Sequence, residues 1–195
     1  MRDMIKMVVV IAVLASFSGG LLAGIRNSTK ERIEYQQLVF VKGPAIRTIL
    51  SECSNDPITD RLKIKDGDAD RSIFVGVLNG EPQAIAFESS GKGFAGDIGV
   101  MVGVNLKDDK LLSIGVTTHS ETPGLGSKAT DTAFGAKFKG LAVMDITKVK
   151  NDGGQIDALT GATITTRGVC SAVTSAGDIY KRLKTQIQEK VKSIK

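Results

Sequence analysis

Tryptophan is missing from this 195-residue chain, and only two tyrosines and one histidine, His119, are present. Single-stranded nucleic acid would find almost nothing to stack on, and a formal charge of +5 is too mild to hold a duplex, so no nucleic-acid partner is expected. One histidine also leaves no material for histidine-rich metal sites or for most histidine-based triads. Neither a metal ligand set nor a catalytic group is therefore assigned. Cys53 and Cys170 are too few and too far apart for a zinc site or a disulfide framework, which leaves open one bridge in an oxidising compartment. Hydrophobic residues make up 42% of the chain, enough for the core of one domain with an appendage. The basic excess gathers at the end, where Lys181, Arg182, Lys184, Lys190, Lys192 and Lys195 face only Glu189, the pattern of a solvated helix face.

The appendage is visible at the start. Residues 7–25, MVVVIAVLASFSGGLLAGI, carry no charge, and at ~1.5 Å rise per residue they cover roughly the ~30 Å hydrocarbon core of a bilayer. A cleaved signal peptide is the alternative, but the apolar run is long for one and no cysteine follows it for lipid attachment. An uncleaved anchor is expected over residues 1–26. Arg2 and Lys6 flank one end and Arg26, Lys30 and Arg32 the other, so charge leaves its orientation undecided. Residues 27–71 read as a stalk and connection: helical over 28–50 with an interruption at Gly43-Pro44, then turn-rich through Asn55-Asp56-Pro57 and Asp66-Gly67-Asp68 with at most one short strand.

Residues 72–195 form the main domain. Apolar runs at 72–78 and 83–88, joined by Asn79-Gly80-Glu81-Pro82, predict a hairpin. A second pair of strands follows at 97–106 and 111–118. In the first of these, Ile98, Val100, Val102 and Val104 lie opposite Gly99, Met101 and Gly103, a glycine-bearing face that lets another element approach closely. Residues 127–139 suggest a short helix capped at Ser127, and 141–149 another strand. Val169, Val173, Ala176, Tyr180, Leu183, Ile187, Val191 and Ile194 recur at three- and four-residue steps, the pattern of one long amphipathic helix starting near Thr165 or Thr166 as N-cap. The fold class is α+β: an antiparallel sheet packed with helices, including a long C-terminal one, preceded by one N-terminal transmembrane helix.

Three glycine-bearing stretches invite a ligand. Gly91-Lys92-Gly93-Phe94-Ala95-Gly96 matches GxGxxG, but a β-patterned run follows it rather than a helix, so it reads as a connection between strands and not a dinucleotide fingerprint. The loop Glu121-Thr122-Pro123-Gly124-Leu125-Gly126 sets hydrogen-bonding groups beside bare backbone, the makings of a functional loop or of a simple β-to-helix turn. Asp157-Ala158-Leu159-Thr160-Gly161-Ala162-Thr163, continued by Ile164-Thr165-Thr166-Arg167-Gly168-Val169, brings threonine hydroxyls and backbone amides to a helix start, the outline of a phosphate site. Read without a ligand, the same threonines are caps and strand residues. Nucleophilic catalysis by Thr163 lacks a nearby histidine or lysine base, and Asp157 is the one close carboxylate, able to polarise a hydroxyl or to cap a turn.

These stretches together resemble the FMN-binding subunits of membrane-bound, ion-translocating electron-transfer complexes. The likeness is strongest to the G subunit of the Rnf complex, with the C subunit of the sodium-pumping NADH:quinone reductase as its relative; it runs through the anchor, residues 91–104, 121–126 and 157–169. Asp-x-x-Thr-Gly-Ala-Thr looks like the signal that a separate flavin transferase reads when it joins FMN through its phosphate to the final threonine. The resemblance implies covalent FMN on Thr163, with Asp157, Thr160, Gly161 and Ala162 as the recognised motif and Thr165 and Thr166 cradling the phosphate. It places Glu121, Thr122, Gly124, Leu125 and Gly126 beside the isoalloxazine ring. Serine is common in the family where this chain has Thr160, which keeps the hydroxyl. The implied protein relays electrons within an Rnf-type ferredoxin:NAD oxidoreductase, has no independent catalytic activity, and assembles with the other membrane and peripheral subunits. It sits in the cell's inner (plasma) membrane by a single pass, its domain on the extracytoplasmic side. Two alternatives stay open: the equivalent subunit of a sodium-pumping NADH:quinone reductase, and a flavin-free anchored binding or assembly module. The short chain favours the Rnf type over the quinone-reductase type.

Overall fold

The computed structural model describes residues 1–67, 69–78 and 80–192; Asp68 and Asn79 of two expected turns, and Ile194 and Lys195 of the expected C-terminal helix, lie outside them. The chain divides into two units, Met1–Leu38 and Val39–Lys195. The first is essentially helix α1 (Arg2–Gln36), which buries none of its residues. Exposed Val8, Ile11, Leu14, Phe17 and Leu22 are what a helix meant for lipid rather than water presents. Among the described residues one helical stretch, Arg2–Ile49, is long and apolar enough to cross a membrane by length and composition.

The backbone stays helical through a π-helical segment, Gln37–Lys42, into α2 (Gly43–Ile49). The expected interruption at Gly43-Pro44 is thus a change of helix type. Pro44 has no N–H to give, and it stands at the start of α2, where none is required.

Five strands follow, β1 (Arg61–Asp66), β2 (Ala69–Leu78), β3 (Glu81–Lys92), β4 (Asp97–Asn105) and β5 (Lys110–Thr118). They form an antiparallel meander in sequence order, with bulges on β5 at Thr117 and Leu112, opposite Gly99/Val100 and Gly103/Val104 of β4. Period-two alternation sorts the two faces. Ile98, Val100, Val102 and Val104 join Ile85, Phe87 and Val75 in the main core under α4 (Thr163–Lys192), whose Val169, Val173, Ala176, Tyr180, Leu183, Ile187 and Val191 complete it. Each fully buried valine, leucine or isoleucine there contributes roughly 1.5–3 kcal/mol relative to exposure. The opposite, glycine-bearing face receives α2: a Cβ on Gly103 would overlap Ile49, and one on Gly115 would stand 3.0 Å from that of Ala45.

Two expectations fail in the connection between β5 and α4. Residues 141–149 form no strand; only the isolated bridges Lys110↔Ala142 and Val149↔Ile156 occur. Val143, Thr147 and Val149 are buried at near-alternating positions, which mimics a strand, but they pack beneath α4, whose Gly177 lets the Val143 carbonyl approach. Residues 127–139 likewise break into a 3₁₀ turn (Gly126–Thr130), the four-residue α3 (Thr132–Gly135) and another 3₁₀ turn (Ala136–Phe138). Ser127 caps none of these; its Oγ accepts the Gly124 N–H at 2.9 Å.

Helix α4 is fastened at both ends of the sheet. At its start Gly168 meets the end of β3: a Cβ on Gly91 would overlap the Gly168 carbonyl, and one on Gly168 would lie 2.6 Å from the Lys92 carbonyl. Further along, Asp109, in the β4–β5 turn, accepts hydrogen bonds from Tyr180 Oη at 2.7 Å and Lys184 Nζ at 2.6 Å. Burial pushes the Asp109 carboxyl up, but these two hydrogen bonds and the lysine charge outweigh it and hold it below the ordinary aspartate value.

Gly91→Val is expected to destabilise the domain by about 1–3 kcal/mol or more, because a backbone carbonyl cannot yield as a side chain can; urea unfolding followed by circular dichroism measures it. The Asp109 contribution is present above the unfolded-state value of ~3.9 and fades as pH falls through the lower folded-state value. Asp109→Asn should therefore cost about 1 kcal/mol at pH 7 and progressively less below pH 4 in the same assay.

Candidate functional site

The segment that begins α4 is a turn closed on itself. Gly161 adopts φ 77°, the left-handed region, and the Ala162 N–H returns to the Leu159 carbonyl at 3.0 Å. Ala162 thus occupies the cap position before the helix, three or four positions earlier than the expected cap at Thr165 or Thr166, and Thr163 is the first helical residue. The reason lies in Thr166, which works from inside the first turn. Its Oγ1 accepts the Leu159 N–H at 3.1 Å and donates to the Ala162 carbonyl at 3.0 Å. The Thr166 N–H makes its i→i−4 bond to the Ala162 carbonyl, which leaves the amides of Thr163, Ile164 and Thr165 ahead of the helical ladder, as at any helix start.

Thr165 and Thr166 are buried, at 2% and 0% exposure. Their hydroxyl protons are committed, that of Thr166 to Ala162 and that of Thr165 to Glu121 Oε2. Both hydroxyls expected to cradle a phosphate are thus turned to protein acceptors in this structure. Thr163 is half-buried, while Thr160 and Gly161 are exposed.

Glu121 sits at the centre of this region with 5% exposure. Its Oε1 accepts the Ala95 N–H at 2.9 Å, and its own N–H donates to His119 Nδ1 at 3.2 Å. Burial pushes its carboxyl up, but the hydrogen bonds from Thr165, Ala95 and Phe94, with His119 nearby, hold it below the ordinary glutamate range. The rest of the loop is folded outward: Thr122, Gly124 and Leu125 are exposed, and the Thr122 carbonyl accepts from the Leu125 and Ser127 amides, both at 3.2 Å. Leu125 leans over Gly161, whose Cβ would lie 3.1 Å from Leu125 Cδ2. Residues 121–126 and 157–165 thus come together in the fold.

Asp157 points elsewhere. Its carboxylate pairs with Lys150 at 2.8 Å on the surface and meets no hydroxyl, which removes it as a group that polarises one. The hydrogen bond from Lys150 is the main reason its carboxyl lies below the ordinary range. Both cysteines are free thiols; Cys53 lies against Gly76, and Cys170 is buried in the core, where desolvation and the Asp152 charge push its thiol up to about 12. Neither is the activated thiolate that redox or nucleophilic chemistry needs.

One residue escaped the sequence reading. Phe94, in the rejected GxGxxG stretch, is 68% exposed on the turn that Glu121 grips through Ala95. With Leu125 at 46% and Ile164 at 48%, it adds a third large apolar group to the exposed loops that Glu121 joins. An aromatic residue in a glycine-rich turn was the available signal. A separate cavity of about 500 Å³ between residues 146–149 and the Arg167, Cys170, Ser171 and Thr174 face of α4 contains none of the expected site residues.

Comparison with known proteins gives these observations a family. Residues 93–178 match the FMN-binding domain family. The G subunit of the ion-translocating oxidoreductase complex of Shewanella piezotolerans is 31% identical over 185 residues, covering 88% of this chain and 87% of the relative. The corresponding G subunit of Vibrio atlanticus is 34% identical over 179 residues, covering 86% and 85%. That of Methanosarcina acetivorans is 31% identical over 179 residues, covering 91% and 94%. Among solved structures, the C subunit of the Na⁺-translocating NADH-quinone reductase from Parabacteroides distasonis superposes with a TM-score of 0.51 at 24% identity, over 60% of this chain and 69% of that one. Shewanella oneidensis NqrC does so at 0.52 and 24%, over 71% and 73%. These two share the fold. The identities above 30% over nearly full lengths decide the family: this chain belongs to the G-subunit family of ion-translocating oxidoreductase complexes.

Proposed function

We propose that this chain is the membrane-associated, flavin-carrying electron-transfer subunit of an Rnf-type ion-translocating oxidoreductase complex, with FMN joined through its phosphate to Thr163 Oγ1. The FMN-binding family match and the nearly full-length G-subunit relatives support the flavin and the complex. The observation that carries the attachment site is the setting of Thr163. Thr163 is only partly buried at the first residue of α4, in the motif turn, whereas Thr165 and Thr166 are buried and engaged. A threonine hydroxyl open to a modifying enzyme, followed by unladdered amides and the positive end of a 30-residue helix, suits a phosphoester.

When bound, FMN supplies the electron chemistry; the protein supplies position and surroundings. The backbone amides of Thr163, Ile164 and Thr165 would hold the phosphate charge, and Leu125, Thr122 and Phe94 present exposed groups for the ring. Asp157, Thr160, Gly161 and Ala162 form the stretch that a flavin transferase reads. Gly161 gives it a left-handed bend, and the Asp157 side chain is accessible from solvent. No activity independent of the complex is expected, since no nucleophile–base pair adjoins Thr163. The equivalent subunit of a sodium-pumping NADH:quinone reductase is less well supported, because its solved representatives match at 24% identity and the G-subunit relatives at 31% and 34%. Family resemblance also favours a domain on the extracytoplasmic side, where free FMN is scarce and a covalent tether prevents loss.

Co-expression with a flavin transferase should give a chain heavier by one FMN, with fluorescence retained after denaturation, and Thr163→Ala should lose both. Equal additions on wild type and variant would refute the assignment of Thr163. Protease added to intact cells with a permeabilised outer envelope should digest the domain, while inverted vesicles should protect it. The opposite pattern would mean a cytoplasmic domain.

A further inference from the structure

Glu121 is where the three loops of the site meet. The turn at residues 93–96 enters through the Ala95 N–H, the first turn of α4 enters through the Thr165 hydroxyl, and the loop 121–126 is the one Glu121 itself begins. Space is made for the carboxylate on two further sides: a Cβ on Gly93 would lie 2.5 Å from Glu121 Oε1, and one on Gly126 would lie 2.8 Å from Oε2 and 2.8 Å from Thr165 Oγ1. Both glycines therefore belong to the seat of this one side chain.

We propose that Glu121 is a positioning residue whose buried carboxylate, acting through Thr165 and Ala95, fixes the first turn of α4 against the loops that would flank the flavin ring. The proposal rests on the flavin reading of Thr163 and reassigns Glu121, whose oxygens are turned to protein donors. The chemistry selects an acceptor-only group. Its partners are all donors, the amide N–H groups of Ala95 and Phe94 and the Thr165 hydroxyl, and a carboxylate offers lone pairs to each without a proton of its own. Burial makes each bond matter more, because no water replaces a lost partner. Thr165 is two residues from Thr163 along one helical turn, so a bond that holds Thr165 also holds the backbone that carries Thr163. Loop 121–126 is tied to the same carboxylate through its own backbone, and Leu125 reaches Gly161. Released from Glu121, the ring-flanking loop and the attachment turn would move independently, and a tethered flavin would lose its fixed orientation.

Three variants of the full chain, made with flavin transferase, test this: Glu121→Ala, Glu121→Gln and Thr165→Val. Intact mass reads attachment, steady-state anisotropy of the attached flavin reads its local mobility, and potentiometry reads its midpoint. For Glu121→Ala and Thr165→Val, anisotropy of the flavin-bearing fraction should fall at least twofold and the midpoint should shift in the same direction in both, with the far-ultraviolet spectrum of the fold retained. Glu121→Gln should restore part of the anisotropy, since its amide oxygen still accepts from Ala95 and its NH₂ can donate to a rotated Thr165 hydroxyl. If Glu121→Ala does not fold, Thr165→Val decides alone. Wild-type anisotropy and midpoint in Thr165→Val would overturn the proposal, as would a shift in Glu121→Ala that Thr165→Val does not share, because Glu121 would then act on the flavin directly. Hydrogen exchange in Thr163→Ala supplies an arm that needs no flavin: adding Thr165→Val should speed exchange at Ala95 and across 122–126 at least tenfold, and unchanged exchange would overturn the clamp. Absence of flavin from wild type would instead sink the Thr163 reading and leave that arm standing.

Discussion

Helix α4 reaches the sheet because two backbones touch where side chains would stand between them. Gly91 near the end of β3 and Gly168 in the second turn of α4 leave carbonyl and Cα atoms in direct contact, and nothing larger fits at either position. Packed layers of secondary structure ordinarily lie about 10 Å apart. Here the helix start is pulled in, and the consequences run outward from that point. The turn after β3 lies beside the first turn of α4, its Ala95 amide comes within reach of Glu121, and Glu121 in turn receives Thr165. Further along, the helix is held separately by Asp109, so that the two fastenings together fix its axis along the sheet.

The same approach explains why the inside of the site is polar. Backbone atoms brought under the helix start must be satisfied there, because water is excluded. Glu121 serves the Ala95 amide, Thr166 serves the Leu159 amide, and Thr165 finds Glu121. With those groups spent on one another, the large apolar side chains Phe94, Leu125 and Ile164 stand at the surface, beside exposed Thr122 and Thr160 and the partly buried Thr163. Threonines that look equivalent in the string of residues thus divide into two kinds, the buried Thr165 and Thr166 that build the turn and the more accessible Thr160 and Thr163.

That division marks the limit of what the residues reveal unaided. The strands, the two faces of β4 and the long helix were legible because each rests on a period that repeats through the element: two for Ile98 to Val104, three to four for Val169 to Val191. The glycine face of β4 was legible for the same reason, as a missing side chain at alternate positions. Residues 141–149 misled because burial alternates there without strand pairing; periodicity records which side is buried, not what the backbone bonds to. The start of α4 was misread because Thr166 caps from within, accepting the backbone N–H of Leu159 seven residues earlier, an arrangement that ordinary capping patterns do not describe. The partner of Glu121 lies 44 residues away, and no local signal announces it.

The exposure of these loops also bears on the proposed covalent bond to a flavin. Tight noncovalent sites bury most of a ligand's surface in a concave pocket, and that burial must offset the loss of translational and rotational freedom on binding. Thr122, Gly124, Leu125, Thr160, Gly161 and Phe94 are all exposed, so the surfaces offered to a ring are open ones. A phosphoester at Thr163 would remove the translational cost altogether and relieve the loops of supplying affinity. Their remaining task would be orientation, which a few contacts can perform if the loops themselves are rigid. An open setting with rigid loops also suits electron transfer between subunits, since a partner can approach the ring closely without the protein having to open. On the proposed reading, the buried polar seat around Glu121 would supply the rigidity, and the exposed apolar groups beside it the access.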